Sequence, residues 1–209
     1  MSTFLVLLMF GFLILSLTHI CKLNRKIDKL TFLATRDPLT GLLNRRGGSE
    51  ILEHHHTFLV RSKSAKNNFA VLNLDLNRFK GINDKYGHET GDLVLKFFGE
   101  ILTKKLRGHE HDIIVRAGGD EFLVILPGAT LDQAKTVKQK IKNLLHEEPF
   151  KGNGLTLILY SSIGIAMAMT EEGEILPLGE ILKLADVDMY IDKDIEHKTG
   201  SLMSERRAL

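Results

Sequence analysis

Two adjacent glycines followed by two acids constrain this chain most. Residues 116–122 read RAGGDEF, with DIIV before them at 112–115 and FLVIL at 122–126. The flanking runs hold the residue types that strands favour. Adjacent glycines permit the positive φ values of a tight hairpin and let a ligand approach the backbone. The segment therefore predicts a β-hairpin with Asp120 and Glu121 at its lip, on opposite faces because strand side chains alternate.

A second acidic residue at a strand end favours a functional role for the acids of this hairpin. Taken alone, its acids are typical of solvated residues at a turn. However, residues 69–76, FAVLNLDL, predict a buried strand that ends beside Asp75. If the two strands are neighbours, Asp75, Asp120 and the carbonyl of Leu76 make the hard oxygen site that Mg²⁺ prefers. Since Mg²⁺ in such sites usually binds substrate phosphates, the expected ligand is a nucleotide.

The densest polar cluster lies at residues 77–92, NRFKGINDKYGHETGD. Lys80 here, and Lys193 near the C-terminus, are candidates to neutralise phosphates as point charges. Asn83 and Asp92 suit a guanine edge, because the amide reaches O6 and N7 and the carboxylate accepts from N1–H and N2–H. The alternative is that both residues are helix caps, which their side chains favour.

Composition bounds the classes of function. The chain has 209 residues and a net charge of +2, which gives no field for nucleic-acid binding. The single cysteine, Cys21, excludes an internal disulfide framework and fits a reducing compartment. Three consecutive histidines, His54 to His56, point in different directions on a helix, so a solvated helix end is favoured over a metal site.

The N-terminus is typical of a membrane anchor. Phe4 to Cys21 reads FLVLLMFGFLILSLTHIC, close to the roughly 20 residues that span a bilayer. A cleavable signal peptide is the alternative, but its basic start and small-residue cleavage site are not seen. Four cations then follow, which by the positive-inside rule place the remainder in the cytoplasm: Lys22, Arg25, Lys26 and Lys29. We expect a single-pass membrane protein whose C-terminal part lies in the cytoplasm.

A heptad-like apolar stripe continues from this segment and comprises Leu23, Ile27, Leu30 and Ala34. The stripe fits a helix that pairs two copies of the following domain, or a helix that leans on its own domain. The order of later elements predicts one α+β domain, a central sheet covered by helices. Helices are expected at 46–60, 92–106, 131–146 and 178–193, and a strand at 155–169.

Five segments, in order, resemble the motifs of the GGDEF family of diguanylate cyclases. They are DPLTGLLNRR (37–46), LDLNRFKGINDKYGHETGD (74–92), RAGGDEF (116–122), SSIGIA (161–166) and LKLADVDMYIDK (182–193). The resemblance implies a palm-like fold, similar to adenylyl cyclases and polymerases, with a mostly antiparallel sheet. It divides the chain into an anchor (1–21), a linker helix (22–36), a GGDEF domain (37–200) and a tail (201–209).

The resemblance also implies roles for individual residues. Those that hold Mg²⁺ or Mn²⁺ would be Asp75, Asp120 and, through its carbonyl, Leu76. Glu121 would be a further ligand or help to activate the ribose 3′-hydroxyl. The guanine would be bound by Asn83, Asp92 and nearby His88. The phosphates would be contacted by Lys80 and Lys193, with Lys80 assisting catalysis. Two GTP would condense into cyclic di-GMP across a domain dimer, by two-metal in-line displacement with loss of two pyrophosphates.

The chain departs from the family motifs at the inhibitory product site and in the segment after Lys193. The inhibitory product site is commonly Arg-x-x-Asp, and here Asp112 is retained while His109 holds the arginine position. A mostly neutral histidine lacks arginine's bidentate fork, so weak or absent product inhibition is expected. After Lys193 the family often continues Gly-Arg-Asn, where this chain has Asp-Ile-Glu-His up to His197. Loss of one charge-assisted phosphate contact would lower GTP affinity roughly tenfold or more.

Three further positions differ. Asp188 and Asp192 stand where the family prefers small residues, and are interpreted as solvated or as a sign of relaxed constraint. Asn77 replaces a second aspartate in a D-x-D pattern and is a tolerated variant. The leading hypothesis is an active membrane-anchored cyclase. The alternatives are a catalytically weak GTP-binding sensor or scaffold, a cyclase for another nucleotide, which Asp92 disfavours, and a purely structural membrane protein.

Overall fold

A computed structural model of the chain describes the backbone of residues 2–106 and 112–206, and side chains within 7–103, 106 and 112–196. Within these ranges the helices are α1 (Ser2–Thr35), α2 (Arg45–Ser62), α3 (Phe79–Tyr86), α4 (His88–Leu106), α5 (Leu131–Glu147) and α6 (Leu178–Arg206). The strands are β1 (Leu43–Asn44), β2 (Phe69–Leu76), β3 (Ile113–Gly118), β4 (Glu121–Pro127), β5 (Phe150–Gly152), β6 (Leu155–Leu157) and β7 (Ser161–Met167).

The central sheet has the strand order β1-β3-β4-β2-β7. The β1–β3 pair is parallel, and the other neighbours are antiparallel. This confirms an α+β domain with a mostly antiparallel sheet. The single strand predicted at 155–169 is wrong, because β6 turns back on β5 in a separate two-stranded sheet. The turn is made by Asn153 and Gly154, whose φ values of 49° and 72° suit a tight hairpin.

Strand β2 separates the two hydrophobic layers of the domain. Its even-numbered residues, such as Leu72 and Leu74, pack into the cluster that includes α4 and α5. Its odd-numbered residues Phe69 and Val71 pack into the cluster that includes α2 and α6. Because strand side chains alternate, Asp75 continues the odd-numbered series and faces α6.

Helix α6 lies unusually close to β7. A Cβ atom on Gly164 would come within 2.0 Å of the Ala185 carbonyl oxygen and 2.2 Å of the Met189 nitrogen. Only glycine leaves room for this approach, so Gly164 sets the depth at which α6 lies on the sheet. The helix was expected to end near residue 193, and it continues to Arg206.

The other helix predictions have mixed outcomes. Helices α2 and α5 confirm the expected 46–60 and 131–146 within two residues at each end. Helix α4 begins at His88 rather than 92, and α3 was not predicted. The three histidines lie in the middle of α2, which corrects the expectation of a helix end. His56 Nε2 contacts the Leu176 carbonyl oxygen at 2.9 Å, and the His55 ring packs beside Phe69.

Helix α1 projects from the domain. Over Leu7–Thr35 it is long and apolar enough to cross a membrane by length and composition. The heptad residues Leu23, Ile27 and Leu30 are exposed, which contradicts a helix that leans on its own domain along this stripe. Contact with the domain is made at the end of the helix, where Asn44 Nδ2 donates to the Ala34 carbonyl at 2.9 Å.

Candidate nucleotide and metal site

The two acidic strand ends meet, as the sequence predicts. Strands β2 and β4 are antiparallel neighbours, and their register places Asp75 opposite Glu121. The Leu76 N–H donates to the Asp120 carbonyl at 3.3 Å, so the end of β2 is tied to the turn of the hairpin. Asp75, Leu76 and Asp120 therefore lie side by side at one end of the sheet.

Lys193 is also brought to this place. Its Nζ lies 2.7 Å from Asp75 Oδ1, although 118 residues separate them in the chain. Burial lowers the pKa of the Lys193 ammonium, but the hydrogen bond and charge of Asp75 outweigh it and raise the pKa overall. Lys193 is therefore a permanent cation at the edge of the paired carboxylates.

Asp120 lies in an environment that disfavours its own negative charge. Burial raises the pKa of its carboxyl group, the charge of Asp75 raises it further, and Lys193 and Arg116 offset this only in part. A divalent cation between the two carboxylates would relieve both the burial and the repulsion. Together with the Leu76 carbonyl, these hard oxygen donors fit Mg²⁺ or Mn²⁺.

The hairpin turn is held by one guanidinium group. Arg116 Nη1 donates to both carboxylate oxygens of Asp37, at 3.0 and 3.1 Å. Its Nε and Nη2 donate to the Gly119 carbonyl at 3.0 and 2.8 Å. Gly118 and Gly119 take φ values of 153° and 53°, which residues other than glycine rarely adopt. Arg116 thus joins the turn to the segment just after α1.

Glu121 lies directly opposite Asp75 in the register of strands β2 and β4. Its side chain is exposed, and Arg45 Nη2 lies 3.8 Å from its carboxylate. Arg45 Nε also donates to the Ala117 carbonyl at 3.1 Å, so the start of α2 contacts the same hairpin. Asp120 is half-buried and Glu121 is exposed. Because Asp120 lies in the turn, outside β3 and β4, the placement of the two acids on opposite strand faces stays a prediction.

Asn83 and Asp92 lie on two consecutive helices. Asn83 is inside α3 and Asp92 is in the second turn of α4, so the helix-cap interpretation is wrong for both. A Cβ atom on Gly91 would lie 1.8 Å from Asn83 Oδ1, so glycine is required for this packing. Asn83 Oδ1 is buried and has no hydrogen-bond partner among the described residues.

Two predicted site residues stand apart from the carboxylates. Lys80 is exposed on α3, and His88 is exposed at the start of α4. Among the described contacts, neither touches Asp75 or Asp120. Their assigned roles stay predictions, as do those of the other site residues.

A polar network that sequence reasoning missed lies behind Asp75. Asn77 Nδ2 donates to Glu196, and Ser162 Oγ donates to Asn77 Oδ1 at 2.7 Å. Lys142 Nζ contacts Glu196 Oε1 at 2.6 Å and Asp192 Oδ2 at 2.7 Å. The departures from the family motifs were the available signal: Asn77 stands where the family has a second aspartate, and Glu196 lies beside His197, which holds the position of the family's arginine.

The two unusual aspartates of α6 contact the outer edge of the sheet. Asp188 Oδ2 accepts the Ile165 N–H and Asp192 Oδ2 accepts the Ile163 N–H, each at 2.8 Å. Asp192 is only 14% exposed and also contacts Lys138 Nζ at 3.1 Å, which contradicts the solvated interpretation for this residue. His109 and the side chain of His197 lie outside the described residues.

Comparison with known proteins finds similarity to GGDEF-domain proteins. The sequence profile described as "Diguanylate cyclase, GGDEF domain" matches residues 34–199. Diguanylate cyclase DgcP of Pseudomonas aeruginosa is 38% identical over 158 residues, covering 75% of this chain and 22% of that protein. Cyclic di-GMP phosphodiesterase PdeR of Escherichia coli is 33% identical over 184 residues, covering 88% and 26% respectively. The chain thus spans about a quarter or less of these two relatives.

Solved structures share the fold. The coiled coil and GGDEF domain of DgcB from Caulobacter crescentus, in complex with c-di-GMP, superposes with a TM-score of 0.74 at 23% identity, covering 86% of this chain and 91% of that one. The GGDEF domain of YfiN from Pseudomonas aeruginosa gives 0.67 at 33% identity, covering 76% and 88%. The fold and the paired carboxylates define a palm-like domain. The chain belongs to the GGDEF family, whose profile is that of diguanylate cyclases.

Proposed function

We propose that this chain is a membrane-anchored diguanylate cyclase that condenses two GTP into cyclic di-GMP and releases two pyrophosphates. The observation that carries the proposal is the meeting of Asp75, Asp120 and Lys193 at one end of the sheet, beside the glycine turn. Two adjacent carboxylates, of which Asp120 lies where its negative charge is disfavoured, with a lysine at their edge, suit a magnesium-bound triphosphate.

The residues divide the chemistry among them. Asp75, Asp120 and the Leu76 carbonyl would hold the metal ions, and Glu121 would complete the set or orient the ribose 3′-hydroxyl. When bound, the ions lower the pKa of the attacking hydroxyl and neutralise charge on the departing pyrophosphate. Lys193 would bind phosphate oxygens beside Asp75, and Lys80 would reach them from α3.

Base selection would come from α3 and α4. The half-buried Asn83 amide, whose Oδ1 has no partner among the described residues, and the exposed Asp92 carboxylate would bind guanine, with His88 nearby. A carboxylate opposite the base edge accepts the N1–H and N2–H of guanine and repels the acceptor-rich edge of adenine.

One domain holds one GTP, so two domains must face each other. The exposed stripe of Leu23, Ile27 and Leu30 on α1 would align the pair, while the apolar part of α1 anchors it in a bacterial inner membrane, with the domain in the cytoplasm. The replacement of arginine by His109, with Asp112 retained, predicts weak product inhibition. Sub-micromolar binding of cyclic di-GMP would contradict this part of the proposal.

A second candidate is a GTP-binding module with little or no turnover. The specific observation in its favour is the carboxylate of Glu196 on α6, which lies beside Asn77. It adds negative charge near a site for phosphates. The first candidate has more support, because the signature acids and the guanine pair are all present.

The test uses the full-length chain in lipid nanodiscs, incubated with GTP and Mg²⁺, and detects cyclic di-GMP by chromatography. Product from the wild type and none from Glu121→Gln would support a cyclase with catalysis at the hairpin. GTP binding without product, abolished by Asp92→Ala, would support the second candidate. Neither turnover nor binding would overturn both.

Base selection is tested on the same preparation. Asp92→Ser should reduce the preference for GTP over ATP, because the replacement hydroxyl no longer repels adenine. An unchanged preference would contradict the role given to Asp92.

A further inference from the structure

The turn after β2 is strained and held by contacts that come from outside it. Arg78 adopts φ 60° and ψ 24°, a left-handed conformation that costs a non-glycine residue roughly 1 kcal/mol or more. Such a conformation persists where surrounding contacts fix it. Here they converge on the preceding residue, Asn77, whose N–H donates to the Tyr160 carbonyl at 2.9 Å.

The side chain of Asn77 is fixed on both of its ends. Its Oδ1 accepts from the buried hydroxyl of Ser162 at 2.7 Å, and its Nδ2 donates to Glu196 Oε2. An amide is the residue type that satisfies both contacts, because one end accepts and the other donates. An aspartate at this position would set one carboxylate against another.

Glu196 is in turn held by α5. Lys142 Nζ lies 2.6 Å from Glu196 Oε1 and 2.7 Å from Asp192 Oδ2. The Lys142 and Glu196 side chains are 22% and 26% exposed, so the pair is partly shielded from water. A continuous set of contacts therefore runs from α5, through Glu196 on α6, to the turn after Leu76.

We infer that Glu196 and Lys142 are positioning residues for the turn that presents Asp75 and the Leu76 carbonyl, with Asn77 and Glu196 as a matched pair. Two departures from the family, the asparagine at residue 77 and the acidic tail after Lys193, are then one coordinated change. The inference rests on the proposed function, since the positioned groups are those assigned to the GTP site.

The first test inverts the polarity of the pair in the full-length chain in nanodiscs. The probe is 3′-deoxy-GTP with Mg²⁺, which lacks the attacking hydroxyl and therefore binds without turnover. Asn77→Asp should weaken binding roughly tenfold, equivalent to the loss of one charge-assisted contact. The double variant Asn77→Asp with Glu196→Gln should return to within about threefold of the wild type, because the introduced glutamine amide donates to the new carboxylate.

The second test addresses α5 and does not depend on Asn77. Lys142→Met should weaken binding of the same probe several-fold, and Lys142→Arg should preserve it. Lys135→Met is the matched control, since Lys135 is exposed about two turns away on the same helix. A purely structural role would lower the unfolding temperature of Lys142→Met and leave its affinity at 20 °C unchanged.

Equal affinity of Asn77→Asp and the wild type would overturn the inference, as would a double variant no better than Asn77→Asp. If Asn77→Asp does not fold, the Lys142 variants decide. If the wild type itself does not bind the probe, the proposed function fails and the positioning role with it. Unfolding temperatures measured without nucleotide then test separately whether residues 77 and 196 pair. If they do, Asn77→Asp should have a lower unfolding temperature than the wild type, and the double variant should recover it.

Discussion

Asp120 and Asp192 are both partly buried carboxylates, yet their surroundings act on them in opposite directions. Burial raises the pKa of both groups. At Asp120 the charge of Asp75 adds to this effect, and the pKa stays raised. At Asp192 the hydrogen bonds from Lys142, the Ile163 N–H and Lys138 outweigh burial, and the pKa is lowered. The two aspartates therefore differ in how well their neighbours stabilise the ionised form, and under the proposed function Asp120 is the one that binds a cation.

The largest effect should come from Asp120→Asn. Turnover should fall by about three orders of magnitude, since the proposed metal ion that stabilises charge in the transition state loses one of its carboxylate ligands. The unfolding temperature without Mg²⁺ should be unchanged or higher, because a carboxylate disfavoured when ionised becomes neutral. Cyclic di-GMP formation and thermal unfolding measure the two effects, and a clear fall in unfolding temperature would contradict this assignment.

Gly164→Ala affects both regions, because α6 carries Lys193 as well as Asp192. The added Cβ meets backbone atoms that cannot rotate away, so we expect a loss of about 3 kcal/mol in the free energy of unfolding. Turnover of the folded fraction should also fall as Lys193 shifts from Asp75.

Gly179→Ala is the matched control on α6. A Cβ there meets nothing within 4 Å, and alanine favours a helix over glycine. Denaturant titration should therefore show no loss of stability for this variant. Equal behaviour of the two glycine variants would exclude close packing as the cause.

Asp192→Asn should show the reverse of the Asp120 pattern. Lys138 and Lys142 are each about a fifth exposed, so removing their shared partner should cost about 2 kcal/mol of stability, less than for a fully buried pair. Turnover should fall far less than in Asp120→Asn. The exposed Asp194→Asn on the same helix should change neither quantity, and denaturant titration compares all three.

The pH dependence separates the same two groups. Asp120 has a folded pKa above its unfolded value of 3.8, so its ionised form weakens the fold near neutral pH and the penalty disappears as pH falls through the folded pKa. Asp192 has a folded pKa below 3.8, so it stabilises the fold above that value and this contribution is lost as pH falls through the folded pKa.

Unfolding temperatures of the wild type, Asp120→Asn and Asp192→Asn from pH 7 downward test both signs. As pH falls, the increase in unfolding temperature of Asp120→Asn over the wild type should shrink first. The decrease in unfolding temperature of Asp192→Asn should shrink only at lower pH. The opposite order would mean that the two environments are misassigned.

Arg78→Gly should give the smallest effect. Glycine relieves the left-handed strain but adds freedom to the unfolded chain, so the two terms nearly cancel, to within about 0.5 kcal/mol. Turnover should be retained, because the contacts of Asn77 hold the turn. A large loss of turnover would show that the Arg78 side chain itself takes part in the site.

Local sequence was enough to predict the paired acids. Strand β2 and the hairpin are apolar runs bounded by turn residues, so their positions and the approach of Asp75 to Asp120 could be anticipated. Helix α3 could not, because FKGINDKY is short, contains a glycine and has one buried residue, Phe79. It is stable through its packing against α4 rather than through its own helix propensity.

The contacts among Asn77, Lys142 and Glu196 could not be predicted from the sequence for a different reason. Lys142 and Glu196 are 54 residues apart, and Asn77 and Glu196 are 119 apart. No periodicity joins them, and each looks like an ordinary polar surface residue by itself. The depth at which α6 lies on Gly164 brings them together, and that depth is a property of tertiary packing.

The carboxylates on α6 also bear on how copies of the protein can meet. Strand β7 is the last strand of the sheet, and an outer strand invites another chain to add to it through free N–H groups. Asp188 and Asp192 already accept two of these, from Ile165 and Ile163. A second molecule therefore has few free N–H groups to pair with along this stretch, and many copies at high local concentration need not aggregate edge to edge.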